Sequence, residues 1–387
     1  MSFPLSGIKV LDLSRVLAGP FAGRMLSDLG ADVVKLEPPE GDVTRHWGVK
    51  RSDISGYFHQ QNAGKRNIAV DLRHPKGVLI AKSLVKQADV LIENFRPDVM
   101  RRLGIDYDTL AEINPQLIML SISGFGANNT DSRRAAYAPI IHAETGLVAR
   151  QAELTGAFPS ELPLSVADTN AAMHGLIGLL AALYAREQSG RGDHVEISMV
   201  DATIVTNDGM HSALEGQKVG VTNEVHETAG GLLMLAGEFR YIWKLLSSVY
   251  DVSDGLEDGQ NVALEDKIEL RRAASKHFFT ETCGNREEVI MALDRMNIAW
   301  GDVRPASEVC DLVSVKARAS IREVDDRAGG KRLIPASPYK FRHLESEVRA
   351  GAPHLGEHNE EVLRQWLDWS VEEISDVDAA LLTTTLK

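Results

Sequence analysis

Cysteine is nearly absent from this chain. Only Cys283 and Cys310 occur in 387 residues, which excludes a disulfide-stapled scaffold and fits a reduced cytoplasm. Long hydrophobic runs are missing too. The longest apolar stretch is Leu176 to Tyr184, short of the ~20 residues that span a bilayer, so no membrane partner is expected. The first residues, MSFPLSGIKV, lack a basic segment followed by an apolar one, so no secretory leader is expected. Positive charge is in deficit, with 42 Lys and Arg against 55 Asp and Glu and a net charge of −13. That balance argues against a nucleic-acid partner and leaves room only for a local basic pocket. Internal repeats and low-complexity tracts are absent. The expectation is a soluble, cytoplasmic protein.

What is present is enough apolar material for full cores. With 44% apolar residues over 387 positions, two to three domains are expected. The first third alternates β-branched runs with helical stretches. The runs are 7–14, 31–37, 67–72, 89–94 and 116–123. A helix over 21–29 stops at Gly30, and others fall at 75–87 and at 97–103 or 107–113. Nearly continuous apolar strands between helices predict an α/β fold whose parallel sheet is covered on both faces. Past about residue 205 glycines and acidic residues thicken. That shift predicts a large domain over 1–215, a smaller α+β domain over 225–330, and a return to the large domain over 331–387.

The common catalytic and nucleotide-binding signatures do not occur. There is no P-loop, no Cys-x-x-Cys, no H-E-x-x-H and no G-x-S-x-G. The histidines, among them His142, His174, His211 and His226, have no ligand spacing, so no metal is expected. The first strand–turn–helix resembles a dinucleotide site, with Glu37 ending the second strand. Its turn, VLAGPFAG, lacks G-x-G-x-x-G, and Pro20 removes one N–H from the helix start.

One feature stands apart. Residues 165–187 read SVADTNAAMHGLIGLLAALYARE, which puts Asp168 at the head of the most apolar helix. Asp, Thr and Asn are all good N-cap types, so a helix cap is one reading. The other is a catalytic carboxylate. Asp168 follows the apolar segment LPLSVA, at an element junction of the kind that lines clefts in α/β sheets. A helix N-terminus favours an ionised carboxylate there, and such a carboxylate can attack an activated acyl group.

The run from Asp168 to Ala202, DTNAAMHGLIGLLAALYAREQSGRGDHVEISMVDA, resembles the family III CoA-transferases. Four further segments agree, in order: 4–45, NAGKRNIAVDL (62–72), ADVLIENFRPDVMRRLGIDYDTL (88–110) and LGEH (355–358). The resemblance implies a Rossmann-like large domain with a small domain, and two chains interlocked as a homodimer. It also implies a mechanism. Asp168 attacks a donor acyl-CoA to give a mixed anhydride and free CoA thiolate. The thiolate then makes an aspartyl-CoA thioester, and an acceptor carboxylic acid takes the CoA through a second anhydride. CoA is a substrate here, and no cofactor is permanently bound.

By motif, Asn94, Phe95, Arg96 and Arg102 should follow the nucleotide of CoA, with Arg73 and Val70 beside the adenosine. Val16, Leu17 and Ala18 should line the pantetheine path, and Tyr137, also counted with the CoA-binding residues, should shape the acyl pocket. His142 and the glycines Gly230 and Gly231 should shape the substrate end, the glycines as a short loop over the aspartate. Two positions depart from the formyl-CoA members: Pro38 replaces a basic residue and Leu17 a glutamine. Related racemases share the fold and the aspartate but use a His–Asp pair, and Tyr137 occupies the position of that histidine. A phenol of pKa near 10 is a poor base, so CoA transfer ranks above α-proton exchange. A non-catalytic acyl-CoA-binding paralogue is the remaining alternative.

Overall fold

The computed structural model describes residues 2–217, 223–257 and 260–375. The chain divides into two compact units, residues 1–210 with 313–387, and residues 211–312.

The first unit is built on a six-stranded, all-parallel sheet. In chain order its elements are β1 (Lys9–Asp12), α1 (Ala18–Asp28), β2 (Asp32–Glu37), β3 (Arg66–Ala69), α2 (Pro75–Val85), β4 (Val90–Glu93), β5 (Ile118–Ser123), α3 (Ala138–Glu144), α4 (Val166–Ser189), β6 (His194–Ser198) and α5 (Met199–Thr206). The strand order is β3-β2-β1-β4-β5-β6. This is the doubly wound order that reverses direction between β1 and β4. The two short helices read as alternatives at 97–103 or 107–113 both form, at Val99–Leu103 and Tyr107–Ile113.

Both faces of the central strands are buried, which explains their nearly continuous apolar runs, while the edge strand β6 exposes His194 and Glu196. Val10, Val90 and Ile92 pack with α1 and α4, while Leu11 and Leu91 point to the opposite core with Ile80 and Leu84 of α2. The helix after β1 ends where Gly30 takes φ +102, a conformation open to glycine.

α4 runs for 24 residues, and by length and composition it could cross a membrane. Counting only uninterrupted apolar residues misses this, because the helix also carries small and polar residues. Its buried residues Ala167, Ala171, Ala172, Gly175, Leu176, Leu179 and Leu183 recur at helical period and face the core. Met173, Ile177 and Tyr184 on the other side are exposed.

The second unit holds β7 (Asn223–Thr228), β8 (Gly231–Ala236), α6 (Phe239–Tyr250), α7 (Leu264–His277), α8 (Arg286–Arg295) and β9 (Trp300–Asp302). Its strands form an antiparallel sheet in the order β9-β8-β7 over a core that includes Leu233, Leu235, Ile242 and Phe279. The small-domain range read from sequence, 225–330, extends past this unit. The hairpin β10 (Ile321–Asp325) and β11 (Lys331–Pro335) belongs to the first unit, where Arg24 donates to the Pro335 carbonyl at 3.0 Å. The chain then reaches α9 (Asn359–Leu367), whose Val362, Leu363 and Trp366 complete the core beneath β1 and β3.

Candidate active site

The crevice at a topological switch point is where open α/β sheets hold their ligands. Here it is formed by the loops after β1 and β4. Asn94 ties them together, accepting the Arg15 N–H at 2.7 Å and donating to the Arg15 carbonyl at 2.8 Å. A cavity of about 310 Å³ opens above, lined by Val16, Ala18, Asn94, Phe95, Arg96, Tyr137 and Asp168 among others.

Asp168 is the third residue of α4, and Ser165 occupies the cap position without a side-chain bond. The cap reading of Asp168 is therefore replaced. Its carboxylate accepts the backbone N–H groups of Ala138 and Ala18, the first residues of α3 and α1. Burial pushes its carboxyl up to about 6, against the pull of those two hydrogen bonds. Above that pH it is an ionised carboxylate, half-buried, with its charge directed at two helix starts.

The cap of α4 comes from elsewhere. His142 is fully buried, and its Nε2 accepts the Ala167 N–H at 3.1 Å. With Nε2 accepting, the ring is neutral and its proton sits on Nδ1, which finds no hydrogen-bond partner among the described residues. Burial also holds its pKa below the usual imidazole value. The sequence placed His142 at the substrate end of the site. The structure puts it beneath Asp168, as a prop for the helix that carries the carboxylate.

Val16 has φ +68, which a β-branched residue adopts only when its surroundings impose it. The imposing group is Asp42. It accepts the Val16 N–H at 3.1 Å and the Thr44 N–H and hydroxyl at 3.0 and 2.8 Å. Lys35, fully buried, lies 3.5 Å from the same carboxylate and donates to the Ser14 carbonyl at 2.6 Å. Burial opposes the Asp42 charge, but Lys35 and the hydrogen bonds hold its carboxyl below the ordinary carboxylate range. Asp12 and Lys65 form a second fully buried pair at 2.8 Å under the same turn.

The remaining expected residues fall into four groups. Asn94, Phe95, Arg96 and Tyr137 line the cavity with Val16 and Ala18, and Leu17 is buried at the α1 start between them. Arg102 lies in an adjoining groove of about 350 Å³, with Arg96 and Arg133. Arg73 and Val70 stand apart from the cavity. Arg73 is exposed and paired with Asp71 at 2.7 Å and Glu40 at 3.4 Å. Val70 is fully buried in the core with Leu36 and Ile80. Gly230 and Gly231 belong to the second unit and turn β7 into β8. Gly231 has φ +100, and the Gly230 carbonyl accepts from Arg286, which also pairs with Asp302.

Sequence reading missed Tyr57. Its phenol is pushed up to about 12, by burial first and then by the Asp168 and Asp42 charges, so it stays protonated as a donor. It meets Trp47 edge-on at 5.1 Å. No periodicity flags it, because it arrives on a separate short helix, Gly56–Asn62.

A buried carboxylate at a Rossmann-type switch point, beside an arginine-lined groove, is an arrangement suited to acyl transfer. Residues 5–359 match CoA-transferase family III. A succinate–glutarate CoA-transferase from Agrobacterium fabrum is 34% identical over 94% of this chain and 95% of its own. The succinyl-CoA–L-malate CoA-transferase beta subunit of Chloroflexus aurantiacus is 31% identical over 97% of each. A solved CaiB/BaiF-family structure from Brucella suis superposes with a TM-score of 0.78 at 28% identity, covering 95% of this chain and all of its own. The chain belongs to CoA-transferase family III, and it is a CoA-transferase whose substrates are CoA thioesters. The α/β class and the resemblance read from its motifs are both borne out.

Proposed function

We propose that Asp168 carries the transfer covalently, moving CoA from an acyl-CoA donor to a carboxylic acid. The observation that carries this reading is the Asp168 carboxylate in the cavity, held by the Ala18 and Ala138 N–H groups. One carboxylate oxygen attacks the thioester carbonyl and the CoA thiolate leaves, giving a mixed anhydride. The thiolate attacks the aspartyl carbonyl and expels the donor acid. The acceptor carboxylate attacks the resulting aspartyl-CoA thioester, and the released thiolate attacks the acceptor carbonyl of the second anhydride. Product acyl-CoA leaves and Asp168 is a free carboxylate again. Each step exchanges one activated acyl group for another, so no step must expel CoA against water alone. The two N–H groups that bind the resting carboxylate also fit the charge that develops on the aspartyl carbonyl oxygen.

Arg96, Arg102 and Arg133 gather cationic charge in an acidic protein, partly offset by Asp98, which pairs with Arg133 at 3.2 Å. We assign the CoA phosphates to that groove and the pantetheine arm to the Val16–Ala18 edge. The names of both relatives point to dicarboxylates of four or five carbons, so succinyl-CoA is the proposed donor and a short dicarboxylic acid the acceptor. Homodimeric assembly in the cytoplasm completes the reading. The pairing of two chains is supported by the exposed apolar side chains Met173, Ile177 and Tyr184 on α4, with Ile204 and Val205 on α5.

The racemase alternative needs a mobile proton on a histidine beside Asp168. His142 cannot provide it at Nε2 without giving up the Ala167 N–H. Incubation with succinyl-CoA followed by hydroxylamine or borohydride tests the reading. Covalent marking at Asp168 is expected, with no uptake of solvent deuterium α to the thioester. An unmarked Asp168 with deuterium uptake reverses the assignment.

A further inference from the structure

Beside the Asp168 cavity lies a larger hollow of about 500 Å³ that shares Phe95, Arg96 and Pro97 with it. Its floor holds a polar chain that the transfer mechanism does not use. Glu93 ends β4 and is 6% exposed. Its carboxylate accepts the Phe95 N–H at 2.8 Å and the Ser121 hydroxyl. Ser121, the β5 residue paired with Glu93 in the sheet, also lies 2.9 Å from His194 Nε2 on β6. The His194 ring stacks on Tyr107 at 5.1 Å.

The donors and acceptors of this chain run in one of two directions. With Glu93 ionised, Ser121 donates to the carboxylate and accepts from His194. With Glu93 protonated, the carboxyl proton can be donated to Ser121, which then donates to a neutral His194 Nε2. Only the ionised form gives the Phe95 N–H a charge-assisted partner. Phe95 is the middle of the Asn94–Phe95–Arg96 turn that frames the Asp168 cavity.

We propose that Glu93 is a positioning residue whose proton state, relayed through Ser121 and His194, sets the Asn94–Phe95–Arg96 turn and with it the affinity for acyl-CoA. The proposal rests on the assignment of that turn to the CoA path. Burial pushes the Glu93 carboxyl up to about 7, against the Ser121 and Phe95 hydrogen bonds and with a further push from Glu196. The other charged and titratable groups of the hollow are Arg96, Asp98, Arg101, Asp106, Tyr107, Arg133 and His194. Arg15, from the β1 loop, lies 6.0 Å from the centre of the Phe95 ring. The Phe95 bond is direct, whereas the phosphates of CoA are screened by solvent. Tightening of the turn therefore outweighs the added negative charge, and affinity rises as Glu93 ionises.

The test measures KM and kcat for succinyl-CoA, and Kd for CoA, from pH 5.5 to 8.5. In the native enzyme KM and Kd are expected to fall by about fivefold through neutral pH, the difference between a neutral and a charge-assisted hydrogen bond, with kcat less affected. Glu93→Gln holds the chain in its neutral form, so its KM should stay at the low-pH value throughout. Two milder variants shift the inflection in opposite directions. Ser121→Ala removes a bond that favours the carboxylate and moves it to higher pH, whereas Glu196→Gln removes a like charge and moves it to lower pH. An inflection that survives Glu93→Gln, or stays fixed in both milder variants, overturns the proposal while leaving the Asp168 reading intact. Absence of CoA binding at every pH overturns both.

Discussion

Replacing Asp168 by asparagine removes a charge that burial already disfavours. The native carboxyl, raised to about 6, binds more protons than the unfolded chain between about pH 4 and 6. Fold stability therefore falls as pH rises through that window. Asp168→Asn should melt about 2–4 °C higher than the native protein at pH 7, with the gain vanishing below pH 4, by thermal denaturation. The same variant should lose at least about three orders of magnitude in kcat. Because the nucleophile must be ionised, native kcat/KM should fall about tenfold per pH unit below 6. Asp42 behaves oppositely. Asp42→Ala orphans buried Lys35 and the Val16 N–H, and should cost about 3–5 kcal/mol in denaturant unfolding. The contrast shows what single residues reveal in sequence. Asp168 was legible because its neighbours form a recognisable run. Asp42, Tyr57 and Glu93 were not, since their meaning comes from partners brought in by other strands and helices.

At the level of elements, the β1–α1 turn positions the site through close packing. Gly19, the second residue of α1, lies so near Ser14 that a Cβ would overlap its side chain. Gly19→Ala should therefore push the 13–17 turn out of place. Activity should fall by about tenfold or more while stability drops by only about 1–3 kcal/mol, a split read from kcat/KM beside a melting curve. Strand positions were readable from sequence where a strand is buried on both faces and leaves a nearly continuous apolar run, as β1, β4 and β5 do; the edge strand β6 exposes His194 and Glu196 instead. Element ends were less so. α4 begins at Val166, ahead of Asp168, because the group that caps it is His142 on a different helix. A pattern confined to neighbouring residues cannot register a cap supplied in that way.

For the whole molecule, pairing of two chains makes a direct prediction. A charge on the outer face of α4, as in Ile177→Arg, should convert a dimer to monomers in light scattering while leaving the buried face of the helix intact. If the native protein is already monomeric, the dimer assignment is wrong. The two-unit division was only partly visible in composition. The shift near residue 205 is real, but the return to the first unit by residue 313 is marked by contacts between β10–β11 and α1 rather than by any change of residue type.

That return bears on how the protein is made. The core under β1 and β3 needs Val362, Leu363 and Trp366, which are synthesised after residues 211–312. Residues 211–312 have their entire core in hand well before. During synthesis the inserted unit should mature ahead of the body into which it is inserted, because residues 1–210 complete their core only once residues 359–367 have been made.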